Sequence, residues 1–513
     1  MKSDFHKFLK NNKKIIQKFD SKQKIVLVDR GRFNNAIYGV YLAKILNDKF
    51  NLDCIVLSDK DKNSDIIKFY KSFGFEKYIK IFNYRDVLIS NIRISTLSIF
   101  ITVKIFILSF MRGFEWMINS LKFKNILIGD LIYDTYIRTE HKFLNPKFDL
   151  KLLNIFYKTI FRIFKIEKIL NENKVKYIIV GTYTYAYNDA ISIRIGIKKK
   201  IKVLEAGGNI LYDYTSNVLK NGNDFCLIEK KIHKIKKIAK EDKINKFLKE
   251  RSLGKKNLKH TRNIDIKIQN FNEKFTKEKL LVKLNLEEKK IKKIILFASH
   301  KFSESPHAKG KLIFRDYFDQ FEKTLKYIKK KNFIDVLWLF RAHPSSREFN
   351  EQNIVAREIK KLRNEKIRMC PKNLNSHELS KFCDLVITSR GTIGLEFASQ
   401  GKPVLITGNA AYSKRNITIE PKSKKEYFKT LDNLNNLKPL KYDKTLLAKK
   451  ILYFLEIFKS DMSSSEVALT LEEELIAKKN YFKYLNIKLL KKNFFGDRYF
   501  KQLKIKINSL FYW

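Results

Sequence analysis

The chain has 513 residues, 44% of them hydrophobic and 13% aromatic, with 106 Lys and Arg against 53 Asp and Glu, a net charge of +53. That length and composition describe a globular protein of about two to four domains with material for two large cores. The charge points to nucleic acid or an anionic membrane surface, but the lysines are spread along a chain crowded with Lys, Ile, Asn and Phe and carrying only 7 Pro and 17 Gly. Codon bias accounts for that pattern, so no nucleic-acid partner is expected, and attraction to an anionic membrane remains as a physical consequence. Cys54, Cys226, Cys370 and Cys383 lie far apart without CxxC or zinc-ligand spacing, which suits a reducing compartment and no metal. The first residues, MKSDFHKFLKNNKK, lack the apolar core of a signal peptide. The expectation is a cytoplasmic protein, peripheral on the inner face of the membrane at most.

In chain order, Lys24 to Val28 reads as a buried strand followed by the loop Asp29-Arg30-Gly31-Arg32, then a helix from about Asn34 to Leu46, a strand over Asp53 to Leu57 and a third from near Tyr78. This βαβαβ opening predicts a doubly wound sheet. Ile94 to Met111 is rich in Ile and Phe but interrupted by Lys104 and flanked by Arg93 and Arg112. That pattern predicts helix that is buried or lies in a membrane interface more readily than one that spans. Asn125 to Ile128 reads as a strand ending in Gly129-Asp130-Leu131-Ile132-Tyr133-Asp134. Polar residues at such an end line clefts or cap the next helix. Lys151 to Asn171 is a helix, and strands at Lys176 to Val180 and Ile201 to Leu204 end in further polar, glycine-bearing loops, the second being Glu205 to Asn209. From about Lys230 to Glu288 the sequence is charged and helical, with an exposed loop around Ser252 to Arg262.

A second set of βα units starts at Lys292 to Ala298, which leads into Ser299 to His307 and a helix from about Lys311 to Lys330. A strand over Asp335 to Phe340 ends in Arg341-Ala342-His343-Pro344-Ser345-Ser346; Lys366 to Cys370 is a strand and Ser376 to Cys383 a short helix. Asp384 to Ile406 then reads as strand, loop, helix, turn and strand, with Ser389-Arg390-Gly391-Thr392 as the loop and Gly401 and Pro403 ending the helix. Tyr442 onward is helical, Ser463 with Glu466 forms a capping box, and the basic, aromatic tail from Asn480 to Trp513 either packs on the core or lies on a membrane.

The chemistry gathers in the second half. His300, His307 and His343 all follow strands there, and open α/β sheets bind ligands at the carboxyl ends of their strands. Backbone N–H groups and hydroxyls of Ser389, Gly391 and Thr392 are suited to phosphate, Glu396 to ribose hydroxyls, His343, held by Pro344, to phosphate or a base carbonyl, and Arg341 and Arg390 to added charge. None of this has Walker-A or GxGxxG spacing.

The stretches ASHKFSESPHAKGKLIFRDYFDQFEKTL, LWLFRAHPSS and ITSRGTIGLEFASQGKPVLITGNAAYS, with GDLIYDTYIR in the first half, resemble bacterial GT-B fold glycosyltransferases of the capsule and surface-polysaccharide type. The resemblance is dispersed over Ile126 to Ser413. It implies two Rossmann-like doubly wound α/β domains: an acceptor domain over 1–285, a nucleotide-sugar domain over 286–440, and a helical basic extension over 441–513. It implies that His343 and Pro344 border the nucleotide, that Ser389, Gly391 and Thr392 hold its phosphate and Glu396 the ribose, and that transfer to a glycan or lipid-linked acceptor needs neither metal nor cofactor, the nucleotide-sugar being a substrate. An inverting enzyme of this kind needs a base; Asp130 and Asp134 are candidates, with His300 and Glu304 as alternatives. A nucleotide-sugar 2-epimerase on the same fold is the competing enzyme reading, disfavoured by the Ser389-Arg390-Gly391 loop, and a non-enzymatic polyanion- or membrane-binding protein is the other.

Overall fold

The computed structural model describes residues 6, 9–10, 21–29, 33–82, 92–207, 210–252, 276–287, 290–351, 353–371, 374, 376–458 and 496–510. Arg30 to Arg32, Gly208, Asn209, nearly all of the Ser252-to-Arg262 loop, the Ser463–Glu466 box and most of the tail lie outside the described residues. The chain divides into two compact units, one drawn from 1–140, 147–216 and 460–513, the other from 141–146 and 217–459.

The first unit is built on a sheet of β1 (Gln23–Val28), β2 (Asp53–Ser58), β3 (Lys77–Lys80), β6 (Lys174–Val180), β7 (Lys202–Gly207) and β8 (Ile210–Tyr214), after a separate hairpin of β4 (Lys122–Phe123) and β5 (Ile126–Leu127). The order is β3-β2-β1-β6-β7-β8, parallel except for β8, which runs antiparallel to β7. Ile25, Val26, Leu27 and Val28 are all buried, as a continuous apolar run must be when helices cover both faces of a parallel sheet. Its helices include α1 (Phe33–Phe50), α3 (Ile92–Ser120), α4 (Gly129–Glu140), α5 (Leu150–Glu172) and α6 (Asn188–Lys198), with the short α2 (Asp65–Ser72) after β2.

The described part of the tail belongs to this unit. Tyr499, Phe500, Leu503 and Ile507 of the helix Arg498–Leu510 join the core formed by α1 and β1, and the Tyr41 hydroxyl donates to the Asp497 carboxylate at 3.0 Å. These apolar residues at helical spacing are removed from water by packing on protein. The tail is therefore no free-standing extension over its described length.

The GDLIYDTYIR stretch is not the strand-end loop expected of it. Lys124 and Asn125 both have positive φ, 50° and 60°, the geometry of a two-residue hairpin turn, so β4 and β5 pair only with each other. The chain then enters α4 directly, and Asp130 and Asp134 lie on that helix. Gly129 is required for packing: a Cβ there would sit 1.7 Å from the Met117 carbonyl oxygen.

The second unit carries a wholly parallel sheet of β9 (Lys293–Ala298), β10 (Val336–Arg341), β11 (Ile367–Met369), β12 (Leu385–Thr388) and β13 (Val404–Ile406), in the order β11-β10-β9-β12-β13. Its helices include α7 (Asn223–Lys236), α8 (Glu241–Ser252), α9 (Lys277–Lys283), α10 (Tyr317–Lys331), α11 (Ser376–Phe382), α12 (Thr392–Ala398) and α13 (Tyr442–Tyr453). Ile228 and Ile235 of α7, Leu280 and Leu281 of α9, and Ala448, Ile451 and Leu452 of α13 all bury in the core of this sheet. The units therefore do not divide at 285/286 and 440/441. The charged stretch after Lys230 presents an amphipathic face to the second core, and that apolar burial decides its membership. Two Rossmann-like units in one chain is the α/β architecture the resemblance implied.

Both sheets reverse strand order about their first strand, between β1 and β6 in one and between β9 and β12 in the other. Ligands of open α/β sheets bind outside the carboxyl ends of the strands at such a reversal. In the second unit those ends are Ser299-His300 and Ser389-Arg390.

Candidate functional site

His300 follows β9 and is held from two sides. Its Nε2 accepts the backbone N–H of Arg390 at 3.2 Å, and its ring stacks on Tyr317 at 4.5 Å between centroids and 19°. The His343 ring, after β10, lies nearly parallel to it, 6.3 Å away. Burial first, then the neighbouring His343 and Arg390, hold the His300 pKa well below the usual histidine range. An imidazole whose Nε2 accepts a backbone N–H is neutral and carries its proton on Nδ1. His300 thus fixes the β12–α12 loop, and the nitrogen facing that loop is not available as a base.

His343 is neutral for the same leading reason. Burial and then the Lys301 charge push its pKa down to about 4, with Glu304 opposing. Its Nδ1 accepts the Ser345 backbone N–H at 3.2 Å, and the Ser345 hydroxyl lies 3.0 Å from the same nitrogen. The neutral ring therefore keeps its proton on Nε2, as a donor. Pro344 opens the 3₁₀ turn Pro344–Phe349, capped by that histidine.

Arg390 is the least satisfied group here. It is 7% exposed, its guanidinium lies 6.0 Å from the Tyr317 ring centroid, and Nη2 donates to the Gly310 carbonyl at 3.4 Å. Its Nε and Nη1 are buried without a hydrogen-bond partner among the described residues. Gly408 makes room for it, since a Cβ there would lie 2.8 Å from Nη2 and 3.2 Å from Nε. Cationic donors aimed at no protein acceptor in a low-dielectric setting are costly unless an anion completes them.

The flanking residues are fixed by specific bonds. The buried Ser389 hydroxyl donates to Gln320 Oε1, and its carbonyl accepts the Thr407 and Gly408 N–H groups at 3.2 and 3.0 Å. The Tyr412 hydroxyl donates to the Gly391 carbonyl at 2.6 Å, and a Cβ on Gly394 would stand 2.3 Å from that hydroxyl oxygen. Thr392, the first residue of α12, is exposed, and Glu396, one turn on, is half-buried. The Glu396 charge reaches Tyr412, whose pKa is raised by burial first and that carboxylate second.

The remaining candidates separate. Arg341 contributes its carbonyl, which accepts the Ser299 N–H at 2.9 Å and the Ser299 hydroxyl at 3.1 Å. His307 is half-buried, and its carbonyl accepts from Gly310, the residue whose own carbonyl receives Arg390. Glu304 is partly exposed and paired with Lys301 at 3.2 Å. Asp130 is engaged in a bidentate pair with Arg194, at 2.7 and 2.6 Å, and Asp134 is 1% exposed on α4. A carboxylate with both oxygens on one guanidinium is a structural anchor, so Asp130 is engaged by Arg194, and Asp134 lies buried on the same helix. Among the described residues no group of three or more His, Cys, Asp or Glu side chains is placed to hold a metal ion.

Several contributors carried no local signal. Glu351, 2% exposed, accepts the N–H groups of Phe302 and Ser303 at 2.7 and 2.9 Å and the Ser303 hydroxyl at 2.5 Å, so it shapes the loop after His300. Tyr317 and Gln320 reach the site from the first turn of α10, and Tyr412 from the loop after β13. Each is an ordinary helix or loop residue until the tertiary fold brings it to the strand ends.

Residues 226–448 match the family model of the capsule polysaccharide biosynthesis proteins. Every contact from Ser299 to Tyr412 described above falls inside that span. Among solved structures, the UDP-GlcNAc 2-epimerase of Methanocaldococcus jannaschii in complex with UDP-GlcNAc and UDP is 14% identical, with 85% of this chain and 99% of that chain covered and a TM-score of 0.26. KpsC of Thermosulfurimonas dismutans, a β Kdo 2,4 transferase, is 13% identical over 56% of this chain and 85% of its own, with a TM-score of 0.29. A glycosyltransferase from Rickettsia africae is 13% identical over 96% and 98%, with a TM-score of 0.27. Scores this low carry no functional weight. A search of curated proteins gave no match.

Proposed function

We propose that the chain is a glycosyltransferase of capsule or surface-polysaccharide synthesis, moving a sugar from a nucleotide-sugar donor to a glycan or lipid-linked acceptor. One observation carries this reading: the buried, incompletely paired guanidinium of Arg390 stands beside two neutral histidines at the strand-order reversal of the second sheet. The family match over the same residues supports it.

In this reading Arg390 takes a phosphate oxygen of the donor through Nε and Nη1, as a planar guanidinium does. The Nε2–H of His343 donates to phosphate or to a base carbonyl. Ser389, Gly391 and Thr392 line the phosphate, Glu396 accepts from ribose hydroxyls, and Arg341 and His307 border the nucleotide. As the acceptor oxygen bonds to the anomeric carbon, the bond from that carbon to the phosphate oxygen breaks, and negative charge grows on the leaving nucleotide. A preorganised cation in a water-poor setting stabilises that charge, the task a metal performs elsewhere, and no cofactor enters. The acceptor hydroxyl loses its proton to a base. Of the four catalytic candidates, Glu304 alone pairs solvent access with closeness to the histidines, and we assign it that part.

A thermal-shift screen of the full chain against UDP-, GDP-, CMP- and dTDP-sugars tests the reading, since a ligand that binds the native state raises the unfolding temperature. A stabilising nucleotide-sugar whose effect disappears in Arg390→Met supports it. No response to any of the four classes sinks it, and turnover of donor without acceptor replaces it with the epimerase reading.

A further inference from the structure

The helix α3 has its polarity reversed. From Ile92 to Arg112, nine large apolar side chains are exposed, among them Ile99, Phe100 (69%), Val103, Ile107, Phe110 (65%) and Met111 (76%). The residues it buries along that stretch are Ser95, Ser98, Thr102 and Ser109. Ser98 and Ser109 donate back to the carbonyls of Ile94 and Ile105 at 2.6 and 2.7 Å. The fully buried positions of this stretch, which packs on α4 and α5, are thus small and hydroxylated, with Phe106 half-buried beside them, and most of its large branched and aromatic residues face outward. A helix folded against a protein core in water shows the opposite arrangement, whereas small residues inward and large apolar ones outward is the pattern of helices solvated by lipid.

Charge names the lipid. No acidic residue occurs from Ile92 to Arg112, while Arg93, Lys104 and Arg112 all lie on the exposed side. At 100° per residue the exposed apolar side chains, from Ile99 round to Leu108, cover an arc of about 180°, with Arg93 and Lys104 inside it and Arg112 about 40° beyond it. Past the bend at Gly113, whose φ of 78° ends the first helical run, Trp116 lies under the Arg112 guanidinium at 5.4 Å. An apolar face that carries long cationic side chains able to reach up to headgroups, with a tryptophan past its end, suits the headgroup boundary.

Composition and length alone also fit a spanning helix. Packing argues against it: Phe114 stacks on Phe148, Phe106 meets Phe148 edge to face and also meets Phe156 of α5, and Phe114 meets Tyr133 of α4. To span, α3 would carry α5 with it, and α5 bears Lys151, Lys158, Arg162, Lys165 and Glu167, costly groups in hydrocarbon.

We infer that the outward face of α3 is a docking surface for a bilayer with anionic headgroups, on which the helix lies in the plane of the interface. Lipid binds this face whether or not the second unit takes a nucleotide-sugar. The test is co-sedimentation of the full-length protein with vesicles of phosphatidylcholine alone and of phosphatidylcholine with phosphatidylglycerol, at low and at high salt. The parent binds the anionic vesicles at least tenfold more tightly than the neutral ones. It retains binding at high salt, where adsorption of a cationic chain by charge alone is screened. Combining Ile99→Asn, Phe100→Ser, Ile107→Asn and Phe110→Ser, all at exposed positions, abolishes the salt-resistant binding while the thermal unfolding transition is kept. Combining Arg93→Gln, Lys104→Gln and Arg112→Gln weakens anionic binding by roughly fivefold per cation removed. Binding by the apolar variant equal to the parent's, or no parent binding to either vesicle, overturns the inference. So does a lipid-free parent dimer that the apolar variant dissolves, because a second copy of the chain then covers the face.

Discussion

The two sheets place similar strand ends at their order reversals and finish them differently. At the first, the Asp29 carboxylate after β1 accepts from the Ser58 hydroxyl at 2.6 Å and the Tyr70 hydroxyl at 2.9 Å, and after β6 the Gly181 N–H donates to Asp189 at 2.8 Å. Among the described residues there, those polar groups complete one another. At the second, two histidines are held neutral and a buried guanidinium keeps two donors without a protein acceptor among the described residues. A shared topology therefore says where a ligand can bind, and the hydrogen-bond accounting of the described residues separates the two ends.

Four substitutions break or sharpen this contrast, in descending order of expected effect. Asp130→Ala in the first unit removes one partner of a buried bidentate pair and leaves Arg194 uncompensated. Chemical denaturation should show a loss of about 3–5 kcal/mol, with donor affinity per folded molecule unchanged. An Asp130 variant of normal stability but no transferase activity would restore its candidacy as the base.

Arg390→Met in the second unit should do the reverse. Donor affinity, read by calorimetry, drops by about 2–5 kcal/mol, while the unliganded protein loses no stability, because an incompletely paired buried cation is replaced by an apolar chain of similar length. Unfolding of the unliganded variant would show that Arg390 is structural.

His343→Asn isolates a pH effect. Because burial depresses the folded pKa of His343 to about 4 from an ordinary 6.5, the unfolded chain takes up the proton first as pH falls. Its neutral form penalises the folded state nowhere above about pH 6.5, and the penalty grows between there and pH 4 to about 3 kcal/mol. Between pH 7.5 and 4.5 the parent should therefore lose more stability than the variant; parallel curves would mean that the histidine titrates normally.

Gly394→Ala is the mildest. The new Cβ meets the Tyr412 hydroxyl at 2.3 Å and must displace the bond from that hydroxyl to the Gly391 carbonyl. Overpacking costs about 1–3 kcal/mol, with weaker donor binding, and Tyr412→Phe in the same background should recover part of the stability.

Much of the second unit was legible in the order of residues. Apolar runs bounded by Gly, Pro and short polar loops mark β9, β10, β12 and β13, and the residues just after them are the ones the fold gathers. His300 and His343 were readable as residues at the strand ends, but their hydrogen bonds were not, because a ring's acceptor nitrogen is set by the backbone N–H that finds it. Asp130 and Asp134 misled for a related reason: a tight hairpin and a close approach of Gly129 to Met117 turned an expected loop into helix.

By itself the sequence determined that this chain carries two sets of βα units and where β1, β6, β9, β12 and β13 end, since periodicity and chain breakers act over a few residues. Tertiary structure alone decided that the charged stretch after Lys230 belongs to the second core, that the described end of the tail packs on α1, and that α3 turns its large apolar side chains outward. It also decided that Glu351, Tyr317, Gln320 and Tyr412 pack at the strand ends beside His300 and Arg390. Those outcomes depend on which surfaces meet across long separations in the chain, and burial there is won by whichever pairing removes the most apolar area while leaving polar groups bonded.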